Sequence, residues 1–415
     1  MTSATPIRSS RPIWPVVAML ALAALINYVD RSNMSVAAPF LKSELNLDER
    51  RLGLLFAAFF TTYSLMQPLV GWLVDRIGSG RVFAAGFLLW SLATTATGLA
   101  RGFGMLFAAR LALGLGESVF FPCCARILAR MMPPRRIGSA NATIMAGMHL
   151  GPAFGIFVGG MLMARFGWRP FFIVVGLASL IWLLPWMYTM PRDEAPLTRA
   201  TPDGPSLGRM LRVRSLWGTC FGLFAGNYAW YFLLTWLPYY LVHERGLSAA
   251  QMARLGGMAY VCSASTSFVT GWLTDRWIAA GASHTLVRKS TLVAGYLLAG
   301  LMLVLCARAS ASHFAPFVVI STMCIGGCGF STFAVGQTIA GPKAAGKWVG
   351  IQNAFGNLSG VVAPALTGFV AQRTGHFLPA FLVTCGVCVF GAATWMFVVG
   401  RVEPMEWNTA SAFKP

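Results

Sequence analysis

Gly71-Trp72-Leu73-Val74-Asp75-Arg76 returns 200 residues later as Gly271-Trp272-Leu273-Thr274-Asp275-Arg276, with five of the six residues identical. Each copy closes a long apolar run with a carboxylate and an arginine. A duplicated apolar run with charged ends is the mark of two parallel halves in a membrane, with a site expected between them near the midplane. The composition agrees: of 415 residues, 56% are hydrophobic and 11% charged, against about a quarter charged in a soluble domain. Runs such as 52–74, 82–100 and 291–307 approach the roughly 20 apolar residues needed to cross a bilayer.

Spans are predicted at 13–40, 51–75, 81–100, 104–131, 138–165, 168–190, 215–242, 250–277, 288–308, 313–341, 346–372 and 376–400. The fold class is therefore all-α integral membrane, with twelve transmembrane helices in two pseudo-symmetric six-helix halves. Residues 1–190 form the N-terminal half, 191–214 a proline- and arginine-rich linker, 215–402 the C-terminal half and 403–415 a tail. The first span begins like a signal peptide but continues through Asn27, Asp30 and Arg31 to Pro39, so an uncleaved helix is expected.

A net charge of +19 raises the possibility of a nucleic-acid partner, but the basic residues sit in short segments between spans and are not interleaved with aromatics. With the N-terminus inside, inner segments carry 19 Lys and Arg and outer ones 10, with Arg31, Arg110 and Arg126 inside spans. That bias predicts cytoplasmic N- and C-termini in a multi-pass cell membrane protein. The nine cysteines lie in apolar stretches and read as packing residues. No metal-ligand cluster, phosphate-binding glycine loop or nucleophile beside a buried histidine and acid is present, so neither an enzyme nor a metal or organic cofactor is expected.

Of the thirteen acidic residues, Asp30 and Glu117 alone fall well inside a span. Ionisable groups there are costly and mark function by default. Arg31 adjoins Asp30, and Arg110 precedes Glu117 by two helical turns, on the same face. Two buried cations balance two buried anions, so an arriving carboxylate leaves one negative charge that a proton can neutralise. Asp75, Arg76, Arg81, Asp275 and Arg276, at helix ends, can bridge neighbouring helices in one conformation and release them in another. Asn353 and Asn357 share a face of the eleventh span.

The loop Gly71 to Arg81 resembles the signature of the major facilitator superfamily, and three further stretches resemble its anion:cation symporter family, which includes hexuronate, galactonate and glucarate transporters. They are Asn27-Tyr28-Val29-Asp30-Arg31 through Pro39, Arg110 through Glu117-Ser118 with Phe121-Pro122, and Gly226-Asn227-Tyr228 with Tyr231 through Pro238. The resemblance implies proton-coupled symport of a small organic anion, with the proton as coupling ion and a monomeric protein. Asp30 and Glu117 would be the protonatable pair. By the same resemblance Arg31 and Arg110 would serve the substrate carboxylate, and Tyr28, Tyr63, Asn227 and Asn353 would line the cavity. Tyr231, Thr332, His149 and Asn357 are further substrate candidates, with packing the alternative for His149 and a bond between helices the alternative for Asn357.

Two positions depart from the family pattern. Phe333 stands where sugar-acid carriers usually have tryptophan and Met148 where they have glutamine, which points to a less hydroxylated carboxylate. Gly147 to Gly155, containing His149 and Pro152, also resembles the glycine-proline motif of antiporters, so an organic anion exchanger or proton-coupled efflux antiporter is the second expectation and a non-transporting sensor the third.

Overall fold

The computed structural model describes residues 14–132, 137–190, 205–310 and 313–407. Part of the linker, 191–204, and the end of the tail, 408–415, lie outside the described residues. Twelve helical spans run through the rest, with no strand among the described residues. The N-terminal half comprises α1 (Trp14–Leu45), α2 (Glu49–Ile77) and α3 (Ser79–Gly98), then α4 (Phe103–Glu117, resumed after a turn as Phe120–Met131). It continues with α5 (Ile137–Phe154, a π-turn Gly155–Gly159, then Gly160–Phe166) and α6 (Trp168–Ser179 through Leu183–Thr189). The C-terminal half comprises α7 (Arg214–His243), α8 (Ala249–Ala279), α9 (His284–Arg308), α10 (Phe314–Gly341), α11 (Ala344–Thr374) and α12 (Leu378–Val398).

In hydrocarbon every backbone group must be satisfied internally, which is why the chain is helical almost throughout. Large apolar side chains such as Leu65, Val174, Ile181 and Phe397 are more than 60% exposed, as a lipid-facing surface requires. Within the N-terminal half, Phe87 stacks on Trp182 at 4.2 Å and Trp182 on Trp186 at 4.8 Å. Pro152 removes an amide donor from α5, and the helix widens into its π-turn three residues later. Gly341, at φ 66°, breaks the continuous run from α10 into α11; glycine alone takes that backbone shape freely.

The 200-residue repeat continues at Glu44 and Glu244, each of which holds the start of the last helix of its half. Glu44 accepts from Trp168 Nε1 (2.6 Å) and Arg169 Nε (2.8 Å) at the start of α6, while Glu244 accepts from Phe377 N (2.8 Å) at the start of α12. Arg169 donates to Ala100 O (2.5 Å) at the end of α3, and Arg245 donates to Cys306 O and Ala309 O at the end of α9. Each arginine satisfies terminal carbonyls of the third helix of its half.

The halves meet along two seams. On α2 and α11, a Cβ at Gly53 would stand 2.6 Å from Pro364 O, and one at Gly368 would stand 2.5 Å from Glu49 O. On α5 and α8, a Cβ at Gly257 would stand 2.7 Å from Phe157 Cβ, and one at Gly160 2.7 Å from Ala253 Cβ. Small residues let the backbones touch. The face bearing the ends of the described chain is called here the chain-end face, and the other the far face.

Candidate functional site

α1 carries the site because a single helical stripe sets Asn27 and Arg31 one turn apart, with Tyr28 beside them. Arg31 Nε donates to Glu117 Oε2 at 2.9 Å, linking α1 to α4, and both side chains are almost wholly buried. The guanidinium carbon lies 4.7 Å from the centre of the Tyr28 ring, 5.0 Å from Phe59 and 4.5 Å from Tyr63. Phe59 is shared: Arg110 sits 4.9 Å from the same ring and donates Nε to Leu55 O at 3.4 Å. A cation over ring faces is held electrostatically without losing its outward hydrogen-bond donors. Arg31 Nη2 and Glu117 Oε1 are buried with no hydrogen-bond partner.

Asp30 is not part of that pair. Chain neighbours on a helix point about 100° apart, and Asp30 turns toward α3, facing Thr94, with Arg110 and Glu117 in electrostatic range. Neither of its oxygens has a partner at full hydrogen-bond geometry, nor does either amide atom of the fully buried Asn27, although Thr94 lies close enough to interact with Asp30 and Asn27 with Glu117. Buried polar groups are almost always bonded, so the unspent atoms of Asn27, Asp30, Arg31 and Glu117 leave bonding capacity around the Arg31–Glu117 pair, although other buried atoms, such as those of Asn33 and Tyr260, are unspent too.

The C-terminal half reaches the site through Tyr231, whose ring lies 4.3 Å from that of Phe60 on α2. Its hydroxyl donates to Asn357 Oδ1 at 2.8 Å, and Asn357 Nδ2 donates to Asn353 O at 3.0 Å. Asn357 thereby orients Tyr231 with both ends of its amide engaged. Asn227 and Asn353 are half-buried, with Asn227 Nδ2 beside Gly356. Thr332 is buried and donates to Cys328 O of its own helix at 3.1 Å, while its carbonyl accepts from Gln352. His149 on α5 faces Phe268 on α8 at 6.3 Å, across the two halves.

The helix-end residues divide. Asp275 pairs with Arg288 of α9 at 2.5 Å, within its own half. Arg76 and Arg276 stack on Trp72 (4.3 Å) and Trp272 (5.3 Å), one turn back on their own helices, and Arg81 is exposed. Asp75 ends α2, and its side chain lies outside the described residues. Phe59 and Asn27 were not assigned from sequence: an apolar residue in an apolar helix carries no signal, whereas Asn27 stood inside the motif around Asp30.

The family model described as Major Facilitator Superfamily matches residues 20–340. The chain belongs to the major facilitator superfamily. Its relatives include the hexuronate transporter of Bacillus subtilis (strain 168), 31% identical over 94% of this chain and 95% of that one. The D-galactonate transporter of Escherichia coli O6:H1 is 27% identical over 96% and 99%. Among solved structures, a bacterial homologue of the human lysosomal transporter Spinster, inward-facing and occupied, superposes with a TM-score of 0.80 at 18% identity over 95% of this chain and 97% of that one. As a major facilitator protein the chain is a multi-pass membrane transporter, not an enzyme.

Proposed function

We propose that this chain carries a small organic anion, a carboxylate, together with protons by alternating access, in the direction of uptake across a bacterial inner membrane. The observation that carries the reading is Arg31: a buried arginine held in an aromatic box, paired through Nε, with Nη2 unspent. The hexuronate and galactonate carriers among its relatives support a carboxylate cargo. The chain-end face is the cytoplasmic one by the basic bias of its segments, and the protein works as a monomer.

A carboxylate that takes Arg31 side-on, through Nε and the unspent Nη2, draws it from Glu117. Glu117 is then left as an unpaired buried anion, a costly state that a proton removes. Asp30, without a partner at full hydrogen-bond geometry, is the second proton carrier. Substrate and proton therefore enter together, and release on the alkaline side restores the Arg31–Glu117 pair.

The test is liposome transport by Glu117→Gln and Asp30→Asn. Both should retain counterflow, exchanging labelled carboxylate across the membrane, and both should lose accumulation driven by a pH gradient. Wild-type accumulation by both variants would show that protons are not coupled through these acids. Loss of gradient dependence in the wild type itself would instead identify an exchanger.

A further inference from the structure

At the far face, Tyr239 of α7 is buried beneath the turn that joins α1 to α2. Its hydroxyl donates to Glu49 Oε1 at 2.8 Å and accepts from Lys42 Nζ at 2.8 Å, and Lys42 and Glu49 are themselves paired at 2.5 Å. Lys42 and Glu49 belong to the N-terminal half and stay together if the halves part. Tyr239 belongs to the C-terminal half. The His243 ring approaches the same group, 3.4 Å from Lys42 Nζ and 3.9 Å from Glu49.

Beneath this group the α2–α11 seam is closed by backbone contact at Gly53 and Gly368 and by Phe56, edge-on to Trp236 at 5.3 Å across the halves. A phenol has one proton to give and lone pairs to accept with. Here both capacities are spent on charged groups of the opposite half, and both bonds require the far face to be shut.

We propose that Tyr239 is the bolt of the far-face gate: its hydroxyl biases the carrier toward the state closed at that face, and it must let go of Lys42 and Glu49 in every cycle. The proposal rests on the alternating-access reading, but its test needs neither substrate nor proton gradient. Tyr239→Phe is the direct variant, because the ring's neighbours are Trp236 at 5.6 Å, Phe377 at 5.7 Å and His243 at 5.0 Å. All three belong to its own half, and the ring's cross-half neighbour, Lys42 Nζ at 5.5 Å from its centre, faces a phenyl as well as a phenol, so the ring keeps its packing and only the two hydroxyl bonds go.

Hydrogen–deuterium exchange of the full-length protein in lipid nanodiscs reads the gate. Tyr239→Phe should speed exchange about tenfold in residues 46–56 and 364–377, the scale of losing a hydrogen bond to a charged group, with the chain-end face unchanged or slower. Glu49→Gln should act in the same direction, and the double variant should exceed the single ones by less than their sum, because they remove one shared interaction. Exchange like that of the wild type in Tyr239→Phe overturns the proposal. So does an acceleration spread evenly over both faces, or strict additivity with Glu49→Gln, since either marks ordinary packing. A carrier that fails the liposome test yet shows the local, non-additive response keeps the bolt and loses the coupling scheme.

Discussion

Arg31 is held by geometry that a point charge cannot reproduce. Its Nε faces Glu117 while three rings flank the guanidinium plane, leaving one direction for a ligand. Arg31→Lys keeps the charge but loses the planar fork. Carboxylate affinity measured by calorimetry on purified protein should fall at least about tenfold, the cost of a charge-assisted hydrogen bond, with membrane insertion unchanged. Full affinity in the lysine variant would rule out bidentate binding. The buried charges themselves were legible in the sequence, because ionisable residues in apolar spans are conspicuous. Their pairing was not: adjacency suggested Asp30 with Arg31, whereas the turn of the helix sends Arg31 to Glu117 and Asp30 toward Thr94. Asn357 shows the same limit, since its place on a shared face with Asn353 was legible but its engagement with Tyr231 was not.

Helix ends were legible to within a few residues wherever charge or glycine marks the bilayer edge, as at Asp48, which caps α2 by accepting from Arg51 N at 2.7 Å. What happens beyond an end was not. The tail after α12 folds back on α10: Met405 N donates to Ile339 O at 2.9 Å and Trp407 Nε1 to Ala340 O at 2.8 Å, satisfying carbonyls left open where Gly341 breaks the helix. Trp407→Ala should cost about 2 kcal/mol from one buried bond and part of an indole's burial, read as a lower melting temperature. Counterflow by the folded protein should stay near wild type.

The far-face ends carry a pH signature of their own. Glu49 and His243 lie just outside the apolar runs 51–75 and 215–242. Burial alone would raise the Glu49 carboxyl, but hydrogen bonds from Lys42, its own backbone and Tyr239 outweigh it and hold the group below its ordinary value. Burial, then Lys42, holds His243 below its ordinary value too. A depressed carboxylate contributes its bonds above its unfolded value and loses them as pH falls through the folded one. Far-face exchange, taken as protection relative to the intrinsic amide rate at each pH, should therefore be level from pH 8 to 7 and speed up only in acid, with His243 the first of the two to take up a proton. A rise already between pH 8 and 7 would mean another group holds the gate.

At the scale of the molecule, the repeat is the part of the architecture the sequence states most openly, and the structure carries it from the hexapeptide to Glu44 and Glu244 and to the two seams. The seams themselves were not legible, because a glycine in a membrane helix has many uses and only the partner backbone reveals which. Gly53 and Gly71 lie on the same helix with opposite surroundings. A Cβ at Gly53 would meet Pro364 O at 2.6 Å and Gly368 Cα at 3.2 Å, both backbone atoms that cannot swing aside, whereas nothing lies within 4 Å of one at Gly71. Gly71→Ala should transport like the wild type, slightly stabilised by about 0.5–1 kcal/mol for a helix interior. Gly53→Ala should wedge α2 from α11, raise exchange in residues 46–56 and 364–377, and slow counterflow severalfold, because each half-cycle must pass through a far face that no longer shuts. Adding Tyr239→Phe to Gly53→Ala should then change little, the bolt having no closed seam to hold. If Gly53→Ala and Gly71→Ala prove equally mild in both assays, backbone contact at this seam is not what closes the far face.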